Sequence, residues 1–167
     1  MEDAAKPSSD DMKGFIFGQH IIQASRVCFK SPLSFCIVSG YKKPVLPGHV
    51  LVCTRRKVER LTEMTSDEVS DMFQSVHIIS KALEAFYGVK AMSIGLQDGT
   101  DAGQSVKHVH VHIVPRRKGD FDKEDEVNTT LSVDSSANAR ELRTQEDMAQ
   151  EAVHLRTLFP KAYTKDL

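Results

Sequence analysis

The chain has 167 residues, 40% of them hydrophobic and 27% charged, with a formal net charge of −1. That length fits one domain with a core of its own. The near-neutral charge excludes a protein that holds nucleic acid or a membrane surface through bulk electrostatics, and no apolar run approaches the ~18 residues of a membrane span.

In chain order, residues 1–13 are polar and acidic and read as a disordered leader without a signal-peptide core. Residues 15–22, 26–29 and 33–38 are rich in β-formers and read as short strands, punctuated by Pro32, Gly40, Pro44, Pro47 and Gly48. Residues 49–53 alternate, which places His49, Leu51 and Cys53 on one face. The three cysteines, Cys28, Cys36 and Cys53, are an odd number scattered in apolar segments, the pattern of reduced buried thiols in a cytoplasmic protein. Thr65-Ser66-Asp67-Glu68 is a capping box. Val69, Met72, Phe73, Val76, Ile79, Leu83 and Phe86 follow it at helical spacing, and Gly88 ends the run. Residues 91–96 form the next strand, with Met92, Ile94 and Leu96 on one side and Ser93, Gly95 and Gln97 on the other.

The densest chemistry is His108-Val109-His110-Val111-His112-Ile113-Val114-Pro115. Strict alternation predicts a strand that sends Val109, Val111 and Ile113 into the core and sets the three imidazoles in a row, with Pro115 stopping it. Packing rarely needs three histidines in step. A metal site is the rival reading, but His108 and His112 would start about 13 Å apart, and zinc ligands must converge to about 2.0–2.1 Å from one ion. A nucleophile flanked by two helpers uses all three. A neutral imidazole attacks phosphorus well near pH 7, and water can resolve the phosphorylated histidine. The upstream Gly103-Gln104-Ser105-Val106 offers small and amide-bearing residues that let N–H groups approach an anion. Beyond Phe121, residues 122–143 are polar and read as a flexible loop. A last helix at 144–160 buries Met148, Ala152, Leu155 and Phe159, and 161–167 reads as a tail.

The histidine row resembles the motif of the histidine-triad (HIT) hydrolases. Phe17-Gly18-Gln19-His20, Pro47-Gly48-His49-Val50-Leu51-Val52, Leu96-Gln97-Asp98-Gly99 and Gly119-Asp120-Phe121 narrow the resemblance to the fragile histidine triad branch, the dinucleoside triphosphate hydrolases. It covers roughly 15–121. The resemblance implies an α+β, HIT-like fold, with an antiparallel sheet of about five strands, one long helix and a carboxy-terminal helix. The domain itself would occupy 14–121. It implies hydrolysis of diadenosine triphosphate to AMP and ADP through a nucleotidyl-histidine. In that scheme His110 is the nucleophile, His112 contacts the phosphate or leaving group, His108 orients the nucleophile and His49 supports the row. Phe17, Ile37 and Leu51 would form the adenine slot with His20 near its rim, while Gln97, Gly103, Gln104, Ser105 and Val106 would hold phosphates, ribose and leaving nucleotide.

Other implications follow from the same resemblance. Ser39 stands where relatives carry a ribose-binding asparagine, in front of a two-residue insertion. Asn128 stands where relatives carry a modifiable tyrosine, so that regulation is not expected. Mg²⁺ or Mn²⁺ would arrive with the polyphosphate, with no metal site of the protein's own. The partner would be a second copy in a homodimer, and the location cytoplasmic, with the nucleus also open. An adenylylsulfatase, a nucleoside phosphoramidase and a dinucleotide sensor signalling through its ligand-bound form remain alternatives.

Overall fold

The computed structural model describes residues 14–40, 46–132 and 143–167. The leader at 1–13, Tyr41-Lys42-Lys43-Pro44 of the insertion, and 133–142 of the expected loop lie outside the described residues.

The frame is a five-stranded antiparallel sheet. Its strands are β3 (Val27–Lys30), β4 (Ser34–Val38), β5 (Val50–Thr54), β6 (Ala91–Leu96) and β7 (His110–Arg116), in the order β3-β4-β5-β7-β6. The segment at 15–22 is a separate hairpin, β1 (Phe15–Phe17) and β2 (His20–Ile22), which turns at Gly18 with a φ of 62°. Helix α1 (Ser66–Tyr87) follows β5; α2 (Glu126–Ser132) and α3 (Gln145–Arg156) follow β7. The α+β architecture with one long helix and a carboxy-terminal helix is the one the resemblance implied. Among the described residues no helix is long and apolar enough to cross a membrane.

Alternation along the strands divides the interior in two. Cys36 and Val38 of β4, Val50 and Val52 of β5, and Val111 and Ile113 of β7 point toward α1 and α3, meeting Met72, Ile79, Leu83 and Leu155. Phe35, Ile37 and Cys53 point to the opposite face, where Phe17 and Ile22 of the hairpin cover them. A register shift between Val27 and Phe29 lets β3 serve both, since Val27 joins the hairpin side and Phe29 the helix side. Helix α1 is capped at both ends: Thr65 Oγ1 accepts from the Glu68 N–H at 3.2 Å, and Gly88 closes the carboxy end in the left-handed region. Glu68 is buried and takes a bidentate pair of bonds from Arg56, both at 2.7 Å, which with the Thr65 N–H holds its carboxyl down at about 2.

Four expectations are corrected. Strand β7 begins at His110, not His108, because the Val109 N–H is drawn away to the Val58 carbonyl at 2.7 Å. Pro115 does not stop the strand; it pairs with Met92 of β6, beyond Ile113 where pairing with β5 ends, so its missing N–H interrupts no central ladder. The loop expected at 122–143 contains α2, which buries Val127. The tail at 161–167 is folded, with a helical turn at Lys161–Tyr163.

Candidate active site

Antiparallel pairing of β7 between β5 and β6 assembles the site. His112 faces Leu51 on one side and Gly95 on the other, and His110 faces Cys53. Both imidazoles therefore stand on the hairpin face. There the apolar residues of β4 and β5 form a floor beside them. Phe17 packs edge-on against His110, ring centres 5.0 Å apart, and lies 5.7 Å from His108.

The hydrogen bonds fix which nitrogens carry protons. The His110 Nδ1–H donates to the His108 carbonyl at 2.7 Å, since a carbonyl can only accept. Its Nε2 is therefore left with a lone pair. The side chain of His108 accepts the Gly18 N–H at Nδ1, 3.1 Å, and so donates from Nε2 to the Thr54 carbonyl at 2.8 Å, with Thr54 Oγ1 at 3.0 Å. His49 and His112 share a bond between Nε2 and Nδ1 at 3.0 Å. When His49 donates, the Nε2–H of His112 is free to point at a phosphate oxygen.

Burial keeps the row neutral. Desolvation pushes His110 below the ordinary imidazole range, against the opposing pull of its bond to the His108 carbonyl. His112 is driven further, down to about 2, by burial first and then by the neighbouring His110 and His49. His108 is also lowered, chiefly by burial. Four imidazoles within a few ångströms cannot all charge, and uncharged imidazole is the nucleophilic form.

The expected site residues fall into three groups. His108, His110, His112 and His49 converge, and all are buried. Phe17 and Ile37 are buried and Leu51 half-buried in the apolar cluster of the same face, with Val106 packed against it. His20, paired with Phe17 across the hairpin, is exposed at its edge. Ser39 is buried and bonded through its N–H to the His49 carbonyl at 3.1 Å. The loop residues are less uniform. Ser105 is exposed, Gln97 half-buried after β6, and Gly103 caps a short turn with a φ of 88°. Gln104 points its amide into its own loop: Oε1 accepts from the Gly99 N–H and Nε2 donates to the Glu59 carbonyl, both at 2.9 Å. It braces the loop in this arrangement.

Two contributors had no role assigned from sequence. Thr54 and the Gly18 amide together set the His108 tautomer. The only local hint of Gly18's place is its occurrence in Phe17-Gly18-Gln19-His20, since its bonding partner lies ninety positions away. A Cβ at Gly18 would sit 2.4 Å from Val106 Cγ1, so no other residue fits without displacing that side chain.

Comparison with known proteins gives the family. Residues 22–119 match the HIT domain profile. The chain is 38% identical over 159 residues to the bifunctional bis(5'-adenosyl)-triphosphatase/adenylylsulfatase FHIT of Arabidopsis thaliana, covering 90% of this chain and 87% of that one. It is 40% identical over 149 residues to the bis(5'-adenosyl)-triphosphatase of Dictyostelium discoideum, covering 89% and 95%. The crystal structure of the C. elegans NitFhit protein superposes with a TM-score of 0.72 at 38% identity, over 89% of this chain and 31% of that longer one. On this profile match and these relatives, the chain belongs to the HIT domain family.

Proposed function

We propose that the protein hydrolyses dinucleoside polyphosphates, with diadenosine triphosphate and water giving AMP and ADP. The observation that carries this reading is the His110 Nδ1–His108 carbonyl bond at 2.7 Å, which leaves Nε2 of His110 as an uncharged nucleophile. In the first step Nε2 attacks the α-phosphorus, a P–N bond forms, the bridging P–O bond breaks and ADP departs. The Nε2–H of His112 holds a non-bridging or leaving oxygen as charge develops, and His49 keeps that proton on the outer nitrogen. In the second step water attacks the phosphorus, the P–N bond breaks, AMP leaves and His110 returns to its starting form. The relatives named as bis(5'-adenosyl)-triphosphatases at 38–40% identity support this substrate class.

A divalent ion, Mg²⁺ or Mn²⁺, enters this scheme as part of the polyphosphate, whose oxygens are hard ligands. The apolar cluster of Phe17, Ile37 and Leu51 beside the histidines suits a base ring. A homodimer through the free edge of β6 belongs to the same reading, because Ile94 on that strand and Phe73 on α1 remain 49% and 45% exposed. So does a cytoplasmic location, for which three free buried thiols are suited.

The test is turnover by purified protein, with products resolved by chromatography. Diadenosine triphosphate should be cleaved to equimolar AMP and ADP faster than the tetraphosphate, and rapid quenching should trap a nucleotidyl group on His110. Equal turnover of both dinucleotides overturns the substrate assignment; turnover without an adduct overturns the mechanism. The adenylylsulfatase activity in the name of the Arabidopsis relative favours adenylyl sulfate as a second substrate at the same nucleophile, with sulfate as leaving group.

A further inference from the structure

The segment after α3 crosses the edge of the sheet. Phe159 meets Phe29 of β3 edge-on with ring centres 5.2 Å apart, and Tyr163 stacks on the same ring at 4.6 Å, nearly parallel at 15°. Both contacts are on the helix side. Leu167, four residues later, packs instead against the cluster of Ile22, Val27, Phe35, Ile37 and Phe17 on the histidine side. Between them the chain must pass over β3, the outermost strand.

The crossing is built. The N–H groups of Tyr163, Lys165 and Leu167 donate to the carbonyls of Pro160, Lys161 and Thr164 at 2.9, 2.9 and 3.4 Å. Asp166 takes a φ of 62°, the only non-glycine among the described residues in that region, and this turns the chain inward before Leu167. Aspartate is among the few residues besides glycine that take this conformation, which suits it to the turn. Arg156 anchors the approach from Nε to the Val27 carbonyl, 2.8 Å, at the start of the strand being crossed. A strap that only protected an edge strand would have no need to return an apolar side chain to the far face.

We propose that residues 161–167 wall the base slot on its β3 side, with Leu167 as a specificity-determining residue. The proposal rests on the nucleotide reading of the histidine face. A flat heterocycle is sandwiched most favourably when apolar surface covers it from more than one side, and Phe17 and Ile37 supply the inner surfaces. Leu167 then sets how wide a base the slot accepts, without touching the reacting phosphorus.

The experiment uses the full chain with Leu167→Ala, Leu167→Met and Leu167→Phe, comparing kcat, KM and melting temperature on diadenosine and dicytidine triphosphates. Leu167→Ala should raise KM for the adenine substrate roughly fivefold or more and shrink its advantage over the cytidine one, with kcat within about twofold. Leu167→Met, close in volume, should restore the wild-type KM, and Leu167→Phe should worsen binding of the larger base more than the smaller. Unchanged KM and unchanged base preference in Leu167→Ala, even with a lower melting temperature, overturn the wall and leave a strap that only stabilises. Should Leu167→Ala fail to fold, the Phe variant decides alone, and base-independent kinetics there overturn the proposal. If the wild type cleaves no dinucleotide, the function reading fails; calorimetric AMP and CMP affinities equal in wild type and variants would then overturn the wall separately.

Discussion

His110 donates its Nδ1 proton to the backbone carbonyl of His108, its neighbour two residues back, at 2.7 Å. One short bond thus leaves the other nitrogen of the buried imidazole, Nε2, with its lone pair. The partner is main chain, so replacing the His108 side chain leaves the acceptor present but frees the backbone that carries it. In the proposed mechanism, replacing His110 itself removes the nucleophile. His110→Asn is expected to lose roughly 10⁴-fold or more in kcat while keeping dinucleotide affinity, since the row is a unit whose positioning survives without its attacking atom. Calorimetry alongside the turnover assay checks it; measurable turnover at a hundredth of the wild-type rate would show that another group can attack.

Gly18 should be unusually intolerant of change for a residue that has no side chain. Its φ of 62° disfavours any side chain, and the position of an added Cβ lies 2.4 Å from Val106 Cγ1. Gly18→Ala must therefore shift the hairpin, lengthening the 3.1 Å bond to His108 Nδ1 and moving Phe17 off the edge of His110. The expected result is about 1–3 kcal/mol of lost stability and a kcat lowered roughly tenfold, because sub-ångström misplacement of a nucleophile is costly. Urea denaturation and steady-state kinetics read the two effects apart. Normal kcat in a folded Gly18→Ala protein would show that the hairpin amide does not position His108.

Thr54 offers a milder counterpart. His108 Nε2 reaches both the Thr54 carbonyl and its hydroxyl, and only the hydroxyl disappears in Thr54→Val. The carbonyl alone holds the tautomer, so kcat should fall by less than about tenfold and stability by about 1 kcal/mol. A loss comparable with His110→Asn would mean that the hydroxyl, not the carbonyl, orients the ring.

These contrasts mark what local pattern can encode. The ends of α1 were legible, because Thr65, Glu68 and Gly88 each act within a turn of where they stand. The division of Val111 and Ile113 from His110 and His112 was legible too, as alternation is a property of the strand itself. Contacts set by the tertiary fold left no comparable trace. Gly18 and Thr54 meet His108 from ninety and fifty-four positions away. The resemblance placed Gln104 among the phosphate ligands; its bonds to Gly99 and Glu59, set by where the chain after β5 passes, had no local signal. Charge-rich composition likewise hid α2, where Val127 is buried. The strap at 161–167 reads as a polar tail until Phe29 and the hairpin cluster supply partners for Tyr163 and Leu167.

Acid sensitivity should follow from the groups whose protonation the fold opposes or favours. Burial lowers His108, His110 and His112 in the folded state, so the unfolded chain takes up protons first as pH drops below about 6.5, and stability falls from there. Glu68 adds a second limb. Its carboxyl, held at about 2 by Arg56 and the Thr65 N–H, stabilises the fold above the ordinary glutamate range, and that contribution is lost as pH falls from about 4.5 toward 2. Two substitutions separate the limbs. His112→Asn should flatten the melting-temperature profile between about pH 6.5 and 5, where the wild type declines. Glu68→Gln should lower the melting temperature at neutral pH, by loosening both the ion pair and the capping box, yet approach the wild type near pH 2. If Glu68→Gln instead runs parallel to the wild type down to pH 2, ionisation of Glu68 contributes nothing to the acid limb, which then belongs to the histidines.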